Sequence, residues 1–99
     1  MRAIRPSTAL QINREAIRAV AARCRATNPR VFGSVARGDD TPDSDLDLLV
    51  DPLPGATLFD LGGLQIELEE LLGVHVDVLT PGDLSPRFRR QVLNEARPV

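Results

Sequence analysis

Asp45 and Asp47 flank Leu46 at the head of an apolar run that continues through Leu48 and Val50. In an extended strand residues i and i+2 share a face, so the two carboxylates project side by side while Leu46, Leu48 and Val50 point the other way, into a core. Like charges held about 5 to 7 Å apart repel by roughly 2 to 3 kcal/mol at an effective dielectric of about 20. A hard divalent cation with oxygen ligands is the ordinary way to offset that repulsion. Upstream, a spacer of ten residues separates Gly33-Ser34 from Asp45. Glycine lets a ligand come close to the backbone, and Ser34 is placed to cap a short helical turn whose free N–H groups form an anion site. A phosphate cradle beside a metal site predicts a nucleoside triphosphate chelated to Mg²⁺. Arg37, on the same turn, is a candidate contact for the triphosphate or the pyrophosphate leaving group; its other reading is an ion pair with Asp39 or Asp40.

The elements that must position these groups are legible as alternating patterns. Residues from about Ser7 to Ala26 suit one helix, with Ala16, Ile17, Val20 and Cys24 on an apolar face, Thr8 and Gln11 as a capping box, and Asn28-Pro29 as the stop. A short strand over 30–33 leads into the Gly33-Ser34 turn, and Gly38 breaks the turn before an Asp/Thr/Pro/Ser loop in which Asp39, Asp40 and Asp43 read as solvated. The carboxylate strand spans 45–50. Thr57 caps a helix from Leu58 to Leu72 with a stripe of Leu61, Leu64, Leu68, Leu71 and Leu72, and Gly73 closes it. Residues 74–79 alternate as a strand, placing His75, Asp77 and Leu79 on one face. Ser85 and Pro86 start a last helix lined by Phe88, Val92 and Ala96, and Arg97-Pro98-Val99 reads as a short edge strand. The order predicts an α/β (α+β) domain: a small mixed β-sheet with helices on one face and the other face left to the carboxylates.

Ninety-nine residues make a single domain over 1–99 without room for a second core. No apolar run approaches the ~20 residues of a membrane span, no secretion signal opens the chain, and Cys24 has no partner for a disulfide, all of which fit a cytoplasmic protein. A net charge of −2 argues against retention on nucleic acid by bulk electrostatics, so no direct DNA binding is expected. All 12 basic residues are arginine, which excludes lysyl nucleophiles and leaves guanidinium groups or helix N-termini for phosphate. Three other motif matches fail. The glycines of residues 33–38 have P-loop spacing, but Asp39-Asp40 stands where Lys-Ser/Thr is required. Asp43, Asp45 and Asp47 imitate the start of an EF-hand, yet Leu48 and Pro54 occupy the glycine and final-ligand positions. Arg37-Gly38-Asp39 suggests integrin binding only in a secreted protein. His75 alone, without partners at ligand spacing, is weak evidence for a metal site, and Arg87, Arg89 and Arg90 read as a solvated helix face.

The stretch VFGSVARGDDTPDSDLDLLV resembles the signature of the minimal nucleotidyltransferases (MNT) of the DNA polymerase β superfamily. Gly33, Ser34, Ala36, Arg37, Gly38, Ser44, Asp45 and Asp47 meet its glycine-serine, Ala-Arg-Gly and Ser-Asp-x-Asp positions residue by residue, and the likeness extends over nearly the whole chain. The resemblance implies a polymerase β-like nucleotidyltransferase core in which a hydroxyl attacks the α-phosphate of ATP and releases pyrophosphate. It implies two Mg²⁺ ions bridged by Asp45 and Asp47, with Asp77 as a third carboxylate that completes the metal site and accepts the proton. Gly33, Ser34 and Arg37 would then hold the nucleotide. Chains of this kind resemble the antitoxins of HEPN/MNT toxin–antitoxin pairs, which implies a HEPN-type ribonuclease toxin, encoded by a neighbouring gene, as the acceptor of AMP on a tyrosine. Two other readings stay open here: an antitoxin acting by stoichiometric binding, and a nucleotidyltransferase for small molecules of the aminoglycoside type. Homo-oligomerisation is likewise open.

Overall fold

The computed structural model describes residues 4–99. The chain runs through α1 (Pro6–Ile12), α2 (Arg14–Arg23), β1 (Ala26–Phe32), α3 (Gly33–Arg37), β2 (Leu46–Pro52), α4 (Leu58–Leu72), β3 (Val76–Leu79), a single 3₁₀ turn (Pro81–Asp83), α5 (Pro86–Glu95) and β4 (Arg97–Pro98). The strands form one sheet in the order β3-β2-β1-β4. The two pairs made by β1 are antiparallel, whereas β2 and β3 run parallel. The expected mixed sheet is therefore present, and the parallel pair is joined by the crossover helix α4, as parallel strands require.

Inward residues of successive strands meet the apolar stripes of three helices. Val31, Leu46, Leu48, Val50 and Val76 join Ala9, Leu10, Ile17, Val20, Leu64, Leu68 and Leu72 in one buried cluster. The spacing of Leu64, Leu68 and Leu72 is the i, i+4, i+8 row of one helix face. Thr57 caps α4 through a reciprocal box with Asp60, and Gly73 ends it in the left-handed conformation. Leu71, expected in this stripe, is 41% exposed, because it falls outside the row that faces the sheet.

Three expectations about the edges of elements are corrected. The first helix is two helices broken at Asn13, whose side-chain Nδ2 donates to the Ala9 carbonyl at 2.9 Å. No Thr8–Gln11 box forms; Arg5 stands at the N-cap of α1 and contributes no side-chain cap. The helical segment also stops at Arg23, and β1 starts at Ala26 rather than at Arg30. Asn28-Pro29 lies inside that strand, where Asn28 takes a φ of +52° and the register with β2 shifts between Thr27 and Arg30. Asparagine is among the residues that tolerate this conformation, so the pair that reads as a helix stop is the bulge of an irregular strand.

Helix α5 differs from expectation in kind. Its apolar residues do not enter a core: none of its residues is buried, and Phe88 is 57% exposed. It packs instead against α3. The second face of the sheet is also not left to carboxylates alone. Leu49, on the Asp47 side of β2, is fully buried, and the 3₁₀ turn lies against this strand.

Candidate active site

The site begins with register. β2 and β3 pair with Leu46 opposite Val76 and Asp47 opposite Asp77, while β1 and β2 pair with Phe32 opposite Asp47. One row across the sheet therefore runs Phe32, Asp47, Asp77. Strand parity then puts both aspartates on the face away from the core. Asp45 precedes β2 by one residue and is exposed. Asp47 and Asp77 thus stand opposite each other in the parallel pair, with Asp45 just ahead of β2.

Within this group the side chains divide. Asp45, His75 and Asp77 each offer one ligand atom, and these atoms all lie within 4.8 Å of one another. His75 Nε2 is 3.2 Å from Asp77 Oδ1, and Nδ1 is 2.7 Å from Glu69 Oε2. Asp47 instead faces the turn at Gly33. Gly33 has a φ of +69°, and a Cβ built there would collide with Asp47 Oδ2. Glycine is thus needed twice, for a left-handed backbone and for the room the carboxylate takes.

Electrostatics follow from this crowding. Burial first, then the charges of Asp77 and Asp45, push the Asp47 carboxyl up to about 6, with Arg37 pulling the other way. Desolvation draws the His75 imidazole down, but Asp77, Asp45 and Glu69 outweigh it and hold the pKa above its usual value. The His75 shift, and the part of the Asp47 shift left after burial, report uncompensated negative charge. The group offers a dication carboxylate oxygens from Asp45, open to solvent, and from Asp77, half-open, with a His75 ring nitrogen beside them.

Ser34 and Arg37 sit in α3. Phe32, in extended conformation, is the residue before that helix, so Ser34 is its second residue and not its cap. The reason is the positive φ of Gly33, which already turns the chain into the helix. Arg37 NH1 lies 3.3 Å from Glu95 Oε1, and its Nε lies 3.4 Å from Asp39 Oδ2. The Gly33 amide donates to Glu95 Oε1 at 2.6 Å. A carboxylate from α5 therefore rests against two of the three groups expected to receive phosphate. Nothing local marks Glu95, since its partners lie 58 and 62 residues earlier in the chain. Glu69 was equally invisible, being one of several acidic residues on α4.

Asp40 is not a solvated loop residue. It is 3% exposed, its Oδ2 accepts the Ser7 amide at 2.8 Å, and its Oδ1 pairs with Arg5 at 3.2 Å. Burial pushes its carboxyl up, but the Ser7 hydrogen bonds and the Arg5 guanidinium prevail and hold it below the usual carboxylate value. Asp40 thereby supplies from the loop the cap that α1 lacks locally.

The family model described as a nucleotidyltransferase domain matches residues 14–99. The chain belongs to the nucleotidyltransferase domain family. It is 47% identical over 66 residues to a Methanocaldococcus jannaschii protein provisionally named a protein adenylyltransferase, a match spanning 67% of this chain and 71% of the relative. It is 40% identical over 65 residues to the protein adenylyltransferase MntA of Thermococcus cleftensis, covering 66% of each. Among solved structures, one provisionally described as a minimal nucleotidyltransferase superposes with a TM-score of 0.85 at 50% identity, covering 94% of this chain and 95% of that one. A toxin–antitoxin complex with AMP-PNP shares the fold, with a TM-score of 0.74 at 20% identity over 87% of this chain and 71% of that one. Among the described residues no helix is long and apolar enough to cross a membrane.

Proposed function

We propose that this nucleotidyltransferase is an antitoxin that transfers AMP from ATP to a hydroxyl, a tyrosine, of a HEPN-type ribonuclease toxin encoded by a neighbouring gene. The observation that supports the reading is the pairing of Asp47 with Asp77 across β2 and β3, with Asp47 packed against the Gly33 turn. The names of the relatives, protein adenylyltransferases, supply the kind of acceptor.

The reaction asks for a negative site that neutralises a triphosphate and activates a hydroxyl. Asp45, Asp47 and Asp77 would hold Mg²⁺, which when bound supplies charge neutralisation and lowers the pKa of the attacking hydroxyl. The amides of the Gly33-Ser34 turn and the Arg37 guanidinium bind and orient the triphosphate. The acceptor oxygen forms a bond to the α-phosphorus as the bond to pyrophosphate breaks, and Asp77 takes the hydroxyl proton. Asp45 is exposed and Asp77 half-exposed, so a side chain presented on the surface of another protein can reach them.

The test mixes the chain with the neighbouring gene product, Mg²⁺ and ATP labelled at the α-phosphate. Label on the neighbour, with loss of its ribonuclease activity and no label with Asp47→Asn, is the expected result. A tight, inhibitory complex without label would replace this reading with stoichiometric binding. Label only on small hydroxyl compounds would move the acceptor class.

A further inference from the structure

His75, the residue before β3, is held in place by a contact from outside that strand. Glu69 Oε2 lies 2.7 Å from Nδ1 and also accepts the Val76 amide at 3.1 Å, so the carboxylate that grips the imidazole is itself fixed to β3. With Nδ1–H committed to Glu69, Nε2 is turned toward Asp77 Oδ1 at 3.2 Å, inside the group whose ligand atoms lie within 4.8 Å of one another. A carboxylate that takes one ring N–H and leaves the other nitrogen free for a cation is the arrangement found behind metal-bound histidines.

We infer that His75 contributes a nitrogen ligand to the cation held by Asp45 and Asp77, with Glu69 as the positioning residue, and that the site consequently favours a first-row transition dication over Mg²⁺. The inference rests on the proposed metal site. Mg²⁺ takes oxygen ligands and keeps its waters, gaining little from an imidazole, whereas mixed nitrogen–oxygen sites bind first-row dications in an order that starts at Mn²⁺. Mn²⁺, the weakest of that series, is the strictest probe.

The chain has one histidine, so ¹⁵N-histidine labelling assigns any nitrogen signal without ambiguity. Pulsed EPR of the full chain with Mn²⁺ alone should show nitrogen coupling that changes between ¹⁴N- and ¹⁵N-histidine protein and disappears in His75→Gln. Mn²⁺ affinity should fall about tenfold in that variant, while the affinity for Mg²⁺ changes by less than about twofold. His75 is 53% exposed at its side chain, so the substitution leaves the fold in place. Mn²⁺ that is bound, is lost with Asp45→Asn and shows no histidine nitrogen would overturn the role of His75 and leave the carboxylate site standing. Mn²⁺ binding indifferent to Asp45→Asn would overturn both.

Discussion

Glu95 on α5 accepts the Gly33 amide at 2.6 Å and lies 3.3 Å from Arg37 NH1, joining the end of the chain to the mouth of α3. A negative oxygen here occupies the position and makes the contacts expected of a phosphate oxygen. On the proposed reading, nucleotide would displace it or bind beside its charge. Glu95→Gln should therefore tighten ATP binding by about three- to tenfold, the order of 1 kcal/mol for removing one partly screened like charge. Calorimetric titration with a non-hydrolysable ATP analogue checks this, and an unchanged or weaker affinity would show that Glu95 supports the site instead of blocking it.

Asp47 has a folded pKa of about 6, above the ~3.9 of an unfolded aspartate. Between those values the folded chain holds a proton that the unfolded chain releases. The group is thus neutral to stability below about pH 4 and destabilising above pH 6. Asp47→Asn should abolish transfer yet raise the stability of the metal-free protein at pH 7 by an amount on the order of 1 to 2 kcal/mol, with the gain shrinking as pH falls to 4. Urea unfolding of both proteins across that range measures the difference.

Gly33→Ala should cost about 1 to 3 kcal/mol, from the left-handed φ and from the collision with Asp47. Transfer should fall more steeply than stability, because the displaced side chain is Asp47 itself. Thermal unfolding alongside transfer rates under conditions where the variant is fully folded separates the two effects.

Asp40→Ala leaves the Ser7 amide and the Arg5 guanidinium without their partner, at a cost of about 1 to 3 kcal/mol. The Asp40 pKa is lowered in the fold. Its contribution is therefore fully present above the unfolded value near 4 and is lost as pH falls through the depressed folded value. The stability gap between wild type and variant should narrow in acid. Unfolding curves at pH 7 and near pH 3 provide the comparison, and a gap that widened in acid would contradict the ion-pair account.

The chain's sequence by itself determined what depends on close neighbours. The i, i+2 placement of Asp45 and Asp47, the glycine turn ahead of α3, the Thr57–Asp60 cap, the leucine row of α4 and the parity that puts Asp77 with the carboxylates are all set within one or two turns or strand repeats. The short edge strand read at Arg97-Pro98-Val99 is present as β4 (Arg97–Pro98), paired with β1. Two boundaries defeated local reading: Asn13 splits a continuous helical pattern, and Asn28-Pro29 serves as a bulge where it resembles a stop. In both, an asparagine makes the break: Asn13 bonds back to the Ala9 carbonyl, and Asn28 adopts a positive φ. What only the tertiary structure decided are the contacts between distant segments: Asp47 opposite Asp77, Glu95 on Gly33, and Asp40 on Ser7. Parity fixes which face a strand residue occupies, but the length and docking of the α4 crossover set which residue stands opposite it. A one-residue slip would have carried Asp77 into the core and closed the site.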